Sequence, residues 1–137
     1  GGDMNEEAVS IWIRRAESDM KVGKDELDTE EPATDAVCFH MQQCVEKYLK
    51  AFLVFHGKEF PRSHDIALLL RLCSQIDADF ALLTEWGVDT LTDYSVMVRY
   101  DEPIFPSVEE AKMAMELAEK VRDFVRGKLA EGGFVLP

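Results

Sequence analysis

Apolar side chains between Thr34 and Gly57 recur at alternating steps of three and one residues, which places them along one face of a helix. Polar and charged residues occupy the opposite face. The apolar stripe consists of Val37, His40, Met41, Cys44, Val45, Tyr48, Leu49, Phe52 and Leu53. Pro32 suits the approach to this helix, and Gly57 suits its C-terminal cap because glycine tolerates a positive φ. The pattern predicts a long helix with one buried face.

Two further long helices follow from the same periodicity. The first covers about residues 5–27, and the last begins at Ser107 and ends before Gly132 and Gly133. Ser107 stands three residues before Glu110, which is the spacing of a capping box at a helix N-terminus.

Two shorter helices are predicted between the long ones. Ser63 is the expected N-cap of the first, and Asp77 is expected to start the second. Gly87 marks a break within the second helix, and two prolines end it. The apolar positions of these helices are Ile66, Leu69, Leu70, Cys73 and Ile76, then Phe80, Leu83, Trp86, Leu91, Tyr94 and Val98, and the prolines are Pro103 and Pro106.

The remaining segments contain no convincing strand, since residues 134–136 are too short to build a sheet. The chain is therefore predicted to be all-α, an antiparallel up-and-down bundle of about five helices, three long and two short. Its 137 residues suffice for one core. We expect a single domain over residues 1–137, with residues 1–4 and 132–137 as flexible ends.

The charge of the chain is strongly negative, with 15 Lys and Arg against 27 Asp and Glu and a formal net charge of −12. This balance disfavours binding to nucleic acid through a basic surface, and it disfavours acidic membrane surfaces. Residues 37–76 differ, because they hold 5 bases and 3 acids and include all 3 histidines. A site that receives an anion is expected to draw on this segment.

The cysteines Cys38, Cys44 and Cys73 are odd in number and lie among apolar neighbours. This usage indicates a reducing compartment. The chain contains no stretch of 18 consecutive apolar residues and no basic segment followed by an apolar one, so no membrane span or secretion signal is predicted. We expect a cytoplasmic protein that does not bind a membrane.

His40 and Cys44 lie four residues apart, the spacing of two metal ligands on one helix face. Zinc would need two further ligands, and no second pair of Cys or His residues is present. We interpret the pair as a buried histidine beside a structural cysteine, and no metal or cofactor is predicted. The sequence also contains no glycine-rich phosphate loop, nucleophile elbow or HExxH zinc motif.

Two short stretches could carry chemistry. Residues 61–65 (PRSHD) place Arg62 and His64 at a helix N-terminus, where free N–H groups favour an anion. The alternative is a cap with a packed or carboxylate-bound histidine. Residues 94–101 (YSVMVRYD) contain Arg99, the one base in an acidic segment. The alternative is that Arg99 forms an ion pair with Asp101 or with another helix and so organises the turn.

Taken together, these elements resemble the HEPN domain family, a small all-helical family named for higher eukaryotes, prokaryotes and suspected nucleotide binding. The resemblance covers nearly the whole chain. Its residues are Trp12, Ala16 and Asp19, then Cys38, His40, Gln43, Glu46, Lys47, Leu49, Lys50 and Ala51, then Ser63 to Ile66, and finally Tyr94, Arg99 and Tyr100. The resemblance implies symmetric homodimers and, for many members, a minimal nucleotidyltransferase as partner in a toxin–antitoxin-like module.

Family members that cleave RNA without metal carry an arginine followed after four to six residues by a histidine. Arg99 matches the arginine, but no histidine occurs anywhere after His64. Metal-free attack by a 2′-hydroxyl requires a general base and acid, usually histidine. An enzyme is therefore not the favoured interpretation, although His64 could take the missing role.

The resemblance, taken with these residues, implies a dimeric binding or regulatory partner of a nucleotidyltransferase-like protein, with a nucleotide as its ligand. The predicted ligand-binding residues are His64, Arg99, Tyr100, Asp101, Lys47 and Lys50, and the predicted dimer contacts are Trp12, Phe52 and Phe55. One alternative is a metal-independent ribonuclease toxin in which Arg99 and His64 are catalytic. The other is a purely structural homodimer.

Overall fold

The computed structural model describes residues 2–95 and 105–137, with the backbone alone for residues 2–4. Within these ranges the α-helices are α1 Gly2–Leu27, α2 Thr34–Phe55, α3 Ile66–Ile76, α4 Ala81–Glu85 and α5 Val108–Glu131. Two 3₁₀ segments, Ala78–Phe80 and Val88–Ser95, flank α4. The described residues contain no strand. The all-α prediction and the three long helices are confirmed.

Helix α2 lies at the centre of the bundle and packs against α1, α5, α3 and the segment Val88–Ser95. Its apolar stripe supplies much of the core, as its spacing predicts. The largest fully buried side chains are Tyr48, Phe52, Phe80, Ile13, Met41, Leu49, Leu53, Ile66, Leu69, Leu70, Leu83 and Leu91. Because α2 is surrounded by other elements, its polar positions also become partly or fully buried.

The start of α5 agrees with the prediction, because the Ser107 hydroxyl oxygen accepts a hydrogen bond from the Glu110 N–H at 3.0 Å. The predicted cap of α3 is wrong. Asp65 is the N-cap, and its carboxylate accepts from the Leu68 N–H at 3.3 Å. Ser63 instead accepts from the Asp65 N–H at 3.0 Å. This local turn moves the helix start two residues along the chain.

Two glycines have the left-handed conformation that their positions require. Gly57 follows α2 with φ +66, and Gly87 separates α4 from the next 3₁₀ segment with φ +82. The predicted break at Gly87 is therefore confirmed. The helix predicted to start at Asp77 is divided into more pieces than expected. Its described part consists of a 3₁₀ turn, the five-residue α4 and a second 3₁₀ segment.

One predicted dimer contact is wrong. Phe52 is 2% exposed, and its ring lies 4.4 Å from that of Phe80, so the core of a single chain already buries it. Trp12 and Phe55 are only partly buried and lie at the edge of the core. Phe134, within the predicted flexible end, is 5% exposed and its ring lies 5.8 Å from that of Phe55.

Within residues 2–95 and 105–137, none of the helices combines the length and apolar character needed to cross a membrane.

Candidate functional site

A buried carboxylate lies at the centre of the candidate site. Glu46 is 3% exposed on α2. Its Oε1 lies 2.8 Å from Nδ1 of His64 and accepts from Nε2 of Gln42 at 3.1 Å, while its Oε2 accepts from Nζ of Lys50 at 2.8 Å. Gln42, Glu46 and Lys50 stand four residues apart, so one helix face presents all three. The carboxylate of Glu46 thus joins α2 to the segment that precedes α3.

His64 is held by both its backbone and its ring. Its carbonyl oxygen accepts from Nε2 of Gln42 at 3.3 Å, and its Nδ1 bonds to Glu46. Nevertheless 65% of the side chain is exposed. A carboxylate can only accept, so Nδ1 carries the proton in this bond, and Nε2 is the nitrogen left for another partner. Buried groups therefore orient an imidazole that is open to solvent.

Opposing effects set the pKa of Glu46. Burial raises it, but the hydrogen bonds from Lys50, His64 and Gln42 together outweigh burial and hold the pKa below its ordinary value. Glu46 is consequently ionised at neutral pH. Its charge balances that of Lys50, and its Oε1 accepts the hydrogen bond from Nδ1 of His64.

Lys47 belongs to a different cluster. Its ammonium pairs with Asp19 of α1, and the other oxygen of Asp19 lies 2.8 Å from Nδ1 of His40. Lys47 and Lys50 thus share a helix but not a carboxylate. His40 is bound to Asp19, and Cys44 is fully buried. The described residues contain no group of three or more His, Cys, Asp or Glu placed to hold a metal ion.

Aromatic rings border the site on the side of α1. Nζ of Lys50 lies 5.5 Å from the centroid of the Trp12 ring and 5.8 Å from that of Phe60. The two rings meet edge to face, with centroids 6.4 Å apart. The sequence interpretation did not assign Glu46, Gln42 or Phe60 to the site. The spacing of Gln42, Glu46 and Lys50 was the available signal, but it resembles an ordinary solvated helix face.

The other predicted site residues, Arg99, Tyr100 and Asp101, lie outside the described residues, as do Val98 and Pro103. The described part of that stretch ends near Tyr94, whose hydroxyl lies 3.4 Å from Oε2 of Glu110. The structure therefore brings together His64 and Lys50 of the predicted set and assigns Lys47 to a neighbouring cluster.

A separate ion pair joins α1 to α5. Arg122 donates to both oxygens of Glu17, with Nε 2.9 Å from Oε2 and Nη2 2.7 Å from Oε1. Arg126 lies beside it and donates to the hydroxyl of the buried Tyr48 at 3.4 Å. The pair borders a shallow groove of about 500 Å³. Four acids and three bases line this groove, so neither sign of charge predominates, and we interpret it as part of the contact between α1 and α5.

Comparison with known proteins agrees with this architecture. A crystal structure of ST0689, an archaeal HEPN homologue, is similar with a TM-score of 0.66 and 24% identity, covering 88% of this chain and 97% of that one. A protein of Methanocaldococcus jannaschii named "Putative toxin MJ1304" is 30% identical over an alignment of 141 positions, gaps included, that covers 90% of this chain and 89% of the relative. The HEPN domain family model matches residues 9–128. The chain belongs to the HEPN domain family.

Proposed function

We propose that this protein is the dimeric binding or regulatory partner of a nucleotidyltransferase-like protein in a toxin–antitoxin-like module, and that it binds a nucleotide phosphate at His64. The observation that carries the nucleotide site is the exposed His64 ring fixed at Nδ1 by the buried Glu46. The module is supported by the family and by the relative whose name describes a toxin.

The geometry of His64 suits phosphate binding. Because the Glu46 carboxylate occupies Nδ1, Nε2 is the ring nitrogen available to a ligand, and when protonated it donates a hydrogen bond to a phosphate oxygen. Fixing the ring in advance also reduces the conformational entropy that binding would otherwise cost. Lys47 and Lys50 each have a carboxylate partner, so their charges are already balanced. We therefore assign the direct contact to His64, with Arg99, Tyr100 and Asp101 as its proposed companions.

Co-expression tests the module. The tagged protein is expressed together with a minimal nucleotidyltransferase, and an unrelated acidic protein of similar size serves as control bait. We expect the nucleotidyltransferase to co-purify with this protein and not with the control bait, and the two proteins to elute together as one complex. Separate elution of two intact, folded proteins would contradict the proposed partnership.

Thermal unfolding tests the nucleotide. A ligand at 100 times its Kd that binds only the folded state stabilises it by about 2.7 kcal/mol, which raises Tm measurably. We expect His64→Ala to abolish the increase caused by the best of ATP, GTP, CTP and UTP. His56→Ala is the matched control, because His56 is exposed and packs on Phe52 and Phe55. Nucleotide binding is refuted if none of the four changes Tm of the wild-type protein.

The same histidine favours a second candidate, the metal-independent ribonuclease. A neutral imidazole oriented through Nδ1 by a carboxylate offers Nε2 as a general base, the arrangement that hydroxyl nucleophiles use. The test is incubation with single-stranded RNA in EDTA. Under this candidate the wild-type protein cleaves RNA, and Arg99→Ala and His64→Ala both abolish cleavage. If the RNA stays intact, the ribonuclease is excluded and the binding role remains. If every binding test also fails, the purely structural homodimer is the remaining candidate.

A further inference from the structure

A pair of aromatic rings lies beside the proposed phosphate contact. Trp12 of α1 and Phe60 of the segment before α3 are both partly buried, and their rings are 6.4 Å apart at 66°. The guanidinium carbon of Arg15 lies 5.7 Å from the Trp12 ring centroid. The rings therefore combine apolar surface at the edge of the core with cations around them.

A continuous series of contacts connects these rings to His64. Nζ of Lys50 lies 5.5 Å from the Trp12 centroid and 2.8 Å from Oε2 of Glu46. The other oxygen of that carboxylate lies 2.8 Å from Nδ1 of His64. One buried lysine thus separates the aromatic pair from the carboxylate that orients the histidine. The aromatic pair and His64 therefore lie on either side of one buried ion pair.

The chemistry of the pair matches a nucleobase. Bases stack on tryptophan with little sequence preference because every base has a π-face, and an arginine guanidinium can add to the stack. Tryptophan also contributes a large flat surface with few rotatable bonds, so little conformational entropy is lost on binding. Phosphate alone would gain nothing from Trp12, since an anion is repelled by the negative face of the ring.

We propose that Trp12, Phe60 and Arg15 form a subsite for the base of a mononucleotide whose phosphate is bound at His64. The proposal rests on the nucleotide binding proposed above and specifies the part of the ligand that Trp12 contacts. Arg15 is exposed and makes no ion pair within the described residues, so its side chain can move to cover the base.

The chain provides its own matched control. Trp86 is also partly buried, with Nζ of Lys120 4.6 Å from its ring centroid and the ring of Phe124 6.2 Å away. Like Trp12, this second tryptophan has a lysine beside its ring and a phenylalanine ring edge-to-face with it. Within the described residues, neither a buried carboxylate nor a histidine lies beside this group. A general effect of removing a tryptophan that packs with a lysine and a phenylalanine should therefore appear at both positions.

The experiment compares a nucleotide with a phosphate compound that lacks a base. Calorimetry measures the affinity of the tightest binder among ATP, GTP, CTP and UTP and that of tripolyphosphate. We expect Trp12→Leu to weaken nucleotide binding about tenfold and to leave tripolyphosphate binding unchanged. Trp86→Leu should change neither, and His64→Ala should weaken both. If Trp12→Leu does not fold, the Trp86→Phe variant retains Trp12 as its one tryptophan, and nucleotide should quench its fluorescence while tripolyphosphate should not.

The outcomes separate the two proposals. If a nucleotide binds and His64→Ala weakens it, but Trp12 is neither quenched nor required, the base subsite is refuted and the phosphate site stands. If none of the four nucleotides binds, both fail. Quenching of Trp12 by a single-stranded RNA oligonucleotide, with no response to any mononucleotide, would overturn the assignment of a mononucleotide.

Discussion

Nζ of Lys50 lies 2.8 Å from Oε2 of Glu46, and both side chains are almost completely removed from solvent, with 10% and 4% exposed. An ion pair in such a position must compensate for the hydration that both charges have lost. Here the compensation includes His64 and Gln42, which occupy the other oxygen of the carboxylate. The same pair joins two successive turns of α2, and its carboxylate orients the exposed histidine.

Removing one partner of this pair should be costly. We expect Glu46→Gln to lower the free energy of unfolding by about 3 kcal/mol, because it leaves the buried ammonium of Lys50 without a counter-charge. The double variant Glu46→Gln with Lys50→Met should recover a large part of the loss. Urea unfolding followed by circular dichroism measures the free energy of unfolding of the wild type, the single variant and the double variant. A single variant as stable as the wild type would contradict the buried pair.

The exposed pair Lys21 and Asp25 is the matched control, since its members also stand four residues apart on one helix but are 76% and 66% exposed. Water and salt screen such a pair. Asp25→Asn should therefore leave the unfolding midpoint in urea unchanged.

The stability of the protein should decrease in acid through Glu17. The hydrogen bonds from Arg122 hold the pKa of Glu17 below its ordinary value of 4.5. A depressed carboxyl pKa contributes stability that is fully present above the unfolded value and is lost as pH falls through the folded pKa. We therefore expect stability to fall below about pH 4.5, and Glu17→Gln and Arg122→Leu each to make that fall shallower. Urea midpoints measured from pH 3 to pH 7 test this, and unchanged slopes would contradict it.

Gly127 offers a stabilising substitution. It lies within α5, and a Cβ added there would meet no atom within 4 Å. Gly127→Ala should raise the free energy of unfolding by about 0.5–1 kcal/mol, because alanine loses less backbone entropy in a helix. Gly57→Ala is the contrasting variant, since Gly57 has equal space but a φ of +66. Gly57→Ala should lower the free energy of unfolding by about 1 kcal/mol. If Gly57→Ala were the more stable of the two variants, the backbone conformations assigned to Gly57 and Gly127 would be contradicted.

The three cysteines should be unreactive in the native protein. Cys38, Cys44 and Cys73 are free and fully buried. Burial raises the pKa of Cys38 to about 11 and raises those of Cys44 and Cys73 still further, so little thiolate is present at neutral pH. A thiol reagent at pH 7 should label none of them within minutes, and all three after denaturation. Rapid native labelling of any of them would show that its surroundings open.

The proposed homodimer predicts a solution mass twice the 15.5 kDa of one chain. Sedimentation equilibrium measures it directly. Trp12 and Phe55 are the predicted contacts not buried in the core, but the proposed base subsite requires Trp12 to be accessible, so Phe55 is the contact that tests the interface. Phe55→Asp should shift the protein toward monomer. Phe105→Asp is the comparison variant, because Phe105 is 69% exposed and is not a predicted dimer contact. A monomer at every concentration would contradict the dimer.

The apolar periodicity determined the fold class before any tertiary information was used. The stripe of α2, the capping box at Ser107 and the glycines at 57 and 87 each depend on interactions within a few residues, so local sequence is sufficient to predict them. The start of α3 was harder to predict, because Ser63 and Asp65 are both suitable N-cap residues and lie two positions apart. In the structure the Ile66 N–H donates to the hydroxyl oxygen of Thr92 at 3.1 Å, so a residue distant in the chain takes a donor that a cap at Ser63 could have used.

The site itself required the tertiary structure. The sequence identified His64 and Lys50, and the spacing of Gln42, Glu46 and Lys50 predicted that they share a helix face. It could not show that α1 and the segment before α3 cover this face, which turns a solvated row of charges into a buried network. It also placed Phe52 at an interface, although Phe80 encloses it in the core. Burial depends on neighbours distant in the chain, and helical periodicity alone does not specify them.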